Sequence, residues 1–238
     1  MKKTFLLALC ALSSAWLPGR AAESKIDYSH IEIYVAPFYN SEGPSVAVGR
    51  YSSGLAAVRE KEFLATISRM KKNWDQLTFA ELNVAAIRLY DLGYRQDSIY
   101  WFYTGQVRGR QFAALVDEEQ MGGPGSAGFE LFHVTEAFHE LAGPYITGYA
   151  FGDPDGLVRI LERVQKEARK VPDLAAVYPG VAFKPRSEWE TENAPVAEGI
   201  GALIAVVKEQ KAEIKRQRVE RGVEQQFGAL SSKPLPSL

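Results

Sequence analysis

The three histidines are the first residues that can do chemistry. Two share one predicted helix with two acids, in the order His133-x-x-Glu136-x-x-His139-Glu140, and His30 stands far upstream. Imidazole and carboxylate are zinc ligands, and a zinc-bound water is a hydrolytic nucleophile. A metal-binding helix of the HExxH kind sets its histidines four apart, on one face. Here they are six apart and point about 120° away from each other at 100° per residue. The segment therefore reads first as a helix of surface acids and partly buried histidines. A metal site of His133, Glu136 and His139, helped by His30, is the alternative.

Other nucleophiles fare no better. Ser126 lies in Gly-Ser-Ala-Gly, but Pro124 stands where G-x-S-x-G needs glycine, and no strand leads in. The lone cysteine, Cys10, falls in an N-terminal apolar run. Asp117, Glu118 and Glu119 are consecutive and read as solvated acids of a loop, DEEQMGGPGSAG, whose glycines preclude a regular element. That loop lacks the GK[ST] ending of a phosphate cradle. No catalytic residue and no cofactor is assigned on these patterns.

Binding chemistry is better represented. Arg108 and Arg110 directly follow the bulky run Ile99, Tyr100, Trp101, Phe102, Tyr103, and arginine and aromatic residues are enriched where proteins grip one another. The competing reading pairs both arginines with acids such as Glu81 or Glu130, since buried charges are paired. Arg108, Arg110, Asp117, Glu118, Glu119 and Tyr149 are taken as candidate contacts for a protein partner.

The elements that must carry these residues are mostly helical. The segment 89–112 reads as the end of one helix, a turn at Gly93, and a second helix, capped by Asp97 or Ser98, that is apolar on every side and so belongs inside a domain. Before it, Thr78 and Glu81 form a capping box ahead of FAELNVAAIRLYDLG. Leu55, Val58, Phe63, Leu64, Ile67 and Met70 recur at helical spacing up to Asn73. Downstream, the spacing predicts helices over 129–142, stopped by Gly143-Pro144; from Pro154, capped by Asp153, to Pro172; and over 196–226. The last begins apolar and ends with alternating charges, Glu209, Lys211, Glu213, Lys215, Glu220 and Arg221, an ion-pair lattice facing solvent. Upstream, IEIYVAPFY and SVAVGRY flank a Pro/Gly turn and predict a short N-terminal β-hairpin. The expected fold is mainly α, an array of about six to seven helices with that hairpin.

The ends of the chain bear on location. Lys2 and Lys3 precede an apolar run that stops short of a membrane span, and small residues follow to Ala21 and Ala22. This is the pattern of a bacterial secretory signal peptide over residues 1–21, cleaved near Ala21 or Ala22. Leu9 stands before Cys10 where lipid attachment wants a small residue. The chain has 28 basic and 29 acidic residues, and cleavage removes Lys2, Lys3 and Arg20, leaving a mature charge of about −4 that argues against nucleic acid. No later stretch has the length and apolarity of a transmembrane helix. A single domain over 22–228 with a disordered tail, 229–238, is expected in the periplasm.

Two resemblances add to this reading. The hairpin from Thr78 to about Leu115 resembles one unit of the tetratricopeptide repeat, in which a small residue of the first helix meets a bulky one of the second; no second copy with the same spacing follows. The segments AAIRLYDLGYRQDSIYWFYTGQVRGR and LAGPYITGYAFGD resemble a group of uncharacterised exported proteobacterial proteins, some associated with immunity proteins that guard the periplasm against type VI secretion effectors. That resemblance implies a protein partner, a cognate effector toxin, and transfers no residue role. The expectation is a non-catalytic periplasmic binding protein; the alternatives are a metal-dependent envelope enzyme and a helical-repeat adaptor.

Overall fold

The computed structural model describes residues 28–31 and 49–236. The expected signal peptide, Cys10 and nearly all of the expected β-hairpin lie outside them. Within them the chain is mainly helical: α1 (Ser52–Leu55), α2 (Glu60–Lys72), α3 (Phe79–Asp91), α4 (Arg95–Leu115), α5 (Ala127–Ala150), α6 (Pro154–Ala168), α7 (Leu174–Val177), α8 (Trp189–Glu209), α9 (Lys211–Glu220) and α10 (Val223–Phe227). Seven of these have ten residues or more. Among the described residues the one β pairing is an isolated antiparallel bridge, Val116 with Phe183.

The α3–α4 hairpin forms as its residues dictate. The Thr78 hydroxyl accepts the Glu81 N–H while the Glu81 carboxylate accepts the Thr78 N–H, closing both ends of the capping box. At the other end Gly93 adopts φ +86°. The Tyr94 N–H reaches the Leu89 carbonyl and the Gly93 N–H that of Tyr90, the double closure that only a left-handed residue permits. The two helices then lie close. The Ser98 hydroxyl donates to the Ala86 carbonyl at 2.8 Å, and Gly105 sits where a Cβ would come within 2.9 Å of the Asn83 side chain. Ser98 therefore serves the helix interface and not the N-cap expected of it; Tyr94 holds the N-cap position without a side-chain bond.

As an all-round apolar helix should, α4 occupies the centre, with α3, α5, α6 and α8 packed about it. Trp101, Phe102, Val107, Phe112 and Leu115 are buried on its different sides. Phe112 meets Phe79, Tyr178 and Phe183, so the irregular 170–188 segment packs over the C-terminal end of α4. Four-layer stacking occurs nearer the surface. The Arg163 guanidinium lies 4.2 Å over Tyr100, Tyr100 stacks on Trp74 at 5.5 Å, and Arg108 lies 5.7 Å over Trp74.

Several boundaries differ from expectation. Gly143-Pro144 does not stop α5, which continues to Ala150. Proline lacks the N–H that would reach the Glu140 carbonyl, but Pro144 is solvent-exposed, so water can take that acceptor. Phe138, Ala142, Ile146 and Ala150, one every four residues, are buried through the proline, and their packing outweighs the local break. Val58 is 93% exposed and lies before α2 begins. The expected single helix over 196–226 is three: α8 starts seven residues earlier, and Gly222, at φ +69°, separates α9 from α10. The tail expected to be disordered is held down through Lys233 and Leu235.

Candidate protein-binding face

The two arginines that sequence could not separate have opposite fates. Arg108 is buried: its Nη1 donates to the Trp74 and Leu77 carbonyls, each at 2.8 Å. It thereby closes the 3-10 turn Trp74–Gln76 and the entry to α3, and burial lowers its pKa. The acids named as its partners play no part; its nearest carboxylate is Asp75 at 3.9 Å. Arg108 is thus withdrawn from the partner-binding set. Arg110 is solvent-exposed on the opposite side of the same helix.

Beside Arg110's end of α4 the 117–126 loop turns the chain into α5. Asp117 is committed to that turn: its carboxylate accepts the Glu119 N–H and the Gln120 side-chain amide. Its own N–H goes to the Ala182 carbonyl. Glu118 and Glu119 project freely into solvent. Ser126, weighed above as a nucleophile, caps α5 by accepting the Phe129 N–H, and its hydroxyl donates to the Met121 carbonyl. A serine so engaged is structural.

The first half of α5 is apolar and incompletely covered. Gly128 and Phe138 are the only residues buried before Ala142, while Phe129, Leu131, Phe132 and Val134 are half-buried; the exposed Leu141 lies in the second half, on the side of the helix opposite Phe132. Thr135 of α5 lies against Gly109 of α4. Arg110, Glu118, Glu119 and this half of α5 therefore share one end of the molecule. Tyr149 does not belong with them. It stands edge-on to Tyr90 at 6.1 Å near the far end of α5, roughly 30 Å away at 1.5 Å per residue.

The histidine-bearing stretch is the same helix. His133 lies against Phe129 (4.4 Å) and Phe132 (5.6 Å), and His139 stacks on Phe102 of α4. The two rings serve different aromatic neighbours, Glu136 is exposed, and His30 pairs with Asp91 on α3 at 3.2 Å. Among the described residues no group of three or more histidines, cysteines and acids is placed to hold a metal ion.

The polar groups that sequence reading passed over are buried and busy at chain ends. Arg218 donates to the Gly148 carbonyl and to Glu224, closing the C-terminus of α5. Gln111 and Asn193 share the carbonyl of Ala168 at the end of α6. Arg95 reaches two separate stretches of backbone, Ser29 and Ser231. Asp91 accepts the Ile31 N–H at 2.7 Å, and burial drives its pKa up to about 6 against the pull of that N–H, His30 and Arg88. Apart from Glu224, six residues from Arg218, the partners these groups bond lie 25 to 136 residues away, and no local sequence signal marks them.

The fold and face define a helical scaffold whose buried cations serve backbone carbonyls. The chain is 24% identical over 144 residues to an uncharacterised protein of Haemophilus influenzae (strain ATCC 51907 / DSM 11121 / KW20 / Rd), a match covering 59% of this chain and 53% of the relative. The chain thus matches about half the length of that curated relative. No family model and no solved structure matches it. No helix among the described residues is long and apolar enough to cross a membrane.

Proposed function

We propose that this chain is a non-catalytic binding protein of the periplasm, and that its partner is a secreted toxin which it neutralises by occlusion. One observation carries the reading. The half-buried side chains of the first half of α5, Phe129 and Phe132, lie at the same end of the molecule as Arg110 and the exposed acids Glu118 and Glu119, while Arg95, Arg108 and Arg218 are spent on the frame. Apolar groups rimmed by charges are the ordinary make-up of a protein interface. The signal-peptide pattern and the resemblance to uncharacterised exported proteins, some of them associated with immunity proteins, give the setting. A rigid helical body suits occlusion, since a preorganised face loses little entropy on binding.

The test is co-purification of the full chain with the product of the adjacent gene, followed by the same capture with Arg110→Glu and Phe132→Asp. Capture that both variants abolish supports the reading. A deletion strain that survives attack by sister cells as well as its parent overturns the immunity role, and capture indifferent to both substitutions overturns the face.

A further inference from the structure

Both ends of the described chain meet on the α3–α4 turn. From the N-terminal side, the Tyr28 carbonyl accepts the Tyr90 hydroxyl at 2.7 Å, and the Ile31 N–H donates to Asp91. From the C-terminal side, the Lys233 N–H donates to the Gly93 carbonyl at 2.9 Å, and its ammonium pairs with Glu60 at 2.7 Å while lying 4.3 Å over the Tyr94 ring. Ser232 provides what α4 lacks locally: its hydroxyl accepts the Gln96 N–H at 3.0 Å, capping the central helix with a side chain from 136 residues away. Leu230 and Leu235 pack on the core.

One guanidinium joins the two sides. Arg95 donates through Nη1 to the Ser231 carbonyl at 2.5 Å and through Nη2 to the Ser29 carbonyl at 3.3 Å. It is only 8% exposed, and its Nε is buried without a partner. A buried cation that loses one of two acceptors is left under-solvated and pulls on the other. The grip of the tail is nevertheless shallow. Ser231, Lys233, Pro234 and Pro236 are exposed, and the Lys233–Glu60 pair is nearly half open to water, where ion pairs are weak and salt-screened. Such a segment opens at a small fraction of the global unfolding cost.

We infer that residues 230–236 form a latch, coupled through Arg95 to residues 28–31, so that the two segments bind and leave the α3–α4 turn as one unit. Opening uncovers the first-turn amides of α4, Tyr94 and the α2 surface at Leu64 and Ala65 that Pro236 borders.

Hydrogen exchange of the full chain tests this, with the Gln96 and Ile31 amides as reporters, one on each side of the link. Ser232→Ala combined with Lys233→Ala removes only surface contacts, and circular dichroism verifies the fold. The expected result is exchange several-fold faster at both Gln96 and Ile31, reproduced in the unaltered chain by raising the salt to about 1 M. Acceleration confined to Gln96, or none at either amide, overturns the coupling. Where Arg95→Met folds, the tail substitutions in that background should leave Ile31 unaffected; a full effect there also overturns it.

Discussion

The Gln111 carboxamide of α4 donates to the Asn193 side-chain oxygen of α8 at 3.0 Å, and both side chains donate to the Ala168 carbonyl where α6 ends. Gln111 is also within 3.1 Å of the Lys170 carbonyl. Three elements are thus keyed to one another at a point where α6 has run out of amides for its last carbonyls. Gln111→Leu keeps the volume but removes the Gln111 donor from the Lys170 carbonyl and the Asn193 oxygen, leaving the Ala168 carbonyl to Asn193 alone, and the expected loss is about 1–3 kcal/mol. Asn193→Leu should cost a similar amount, and the double substitution less than the two together, because the groups act as one network. Urea unfolding of the three variants measures this; strict additivity would mean that the two amides work independently.

Arg108 and Arg110 make a sharper pair. Arg108→Ala strands the buried Leu77 carbonyl and leaves that of Trp74 with only the Leu77 N–H, and should destabilise the chain by about 2–3 kcal/mol. Arg110→Ala removes an exposed cation and should alter stability by no more than about 0.5 kcal/mol. In partner capture the order reverses, with only Arg110 affecting affinity at undiminished stability. Thermal melts alongside capture separate the roles, and equal melting temperatures for the two variants would contradict the burial of Arg108.

Gly105 lets α3 and α4 approach. An added methyl would meet the Asn83 side chain at 2.9 Å, and Asn83 is held by the Phe79 carbonyl and by Gln106. Alanine favours helices by roughly 1 kcal/mol over glycine, but overpacking a filled interface costs about 1–3 kcal/mol. Gly105→Ala is expected to destabilise by about 1 kcal/mol, and Gly105→Ala with Asn83→Ala to recover part of the loss. A stabilised Gly105→Ala variant would show that Asn83 moves aside freely.

These cases show how far the residues alone could speak. The α3–α4 hairpin was legible because its signals are local: a capping box four residues long, a glycine at the turn, and a periodicity that places α4 inside. Arg108 and Arg110 were not separable, because an all-round apolar helix gives no polar face to orient them; two residues apart, they sit about 160° apart, and only the neighbouring helices decide which is buried. Pro144 looked like a stop because the four-residue spacing of Phe138, Ala142, Ile146 and Ala150 matters only once α3 and α4 are there to pack against. The Ser232 cap had no signature, since its partner helix lies 136 residues back. The proposed face was half legible: its charged residues were named, but Phe129 and Phe132 at the same end of the molecule were read as ordinary helix.

The rings of His133 and His139 are engaged by different aromatic residues, which fixes what metal removal should do. Incubation with a chelator is expected to leave the melting temperature unchanged, and His133→Ala to leave partner capture by Arg110 intact. Stoichiometric zinc in the purified chain, lost in His133→Ala and His139→Ala alike, would revive the metal-centre alternative.

Asp91 should leave its mark on the pH dependence of stability. Its ordinary pKa is 3.8 and burial raises it to about 6, so the folded chain holds this proton over a range where the unfolded chain has released it. The contribution to stability is therefore greatest below pH 4 and is lost as the pH rises through about 6. His30, at 56% side-chain exposure, offsets little of this. Asp91→Asn is neutral throughout and keeps an oxygen for the Ile31 N–H. It should be more stable than the parent at pH 7 by about 1–2 kcal/mol, with the gap closing towards pH 4. Urea unfolding at the two pH values measures the difference of differences. An equal gap at both would mean that the carboxylate is well solvated, and that residues 28–31 are not held on it as the Ile31 contact indicates.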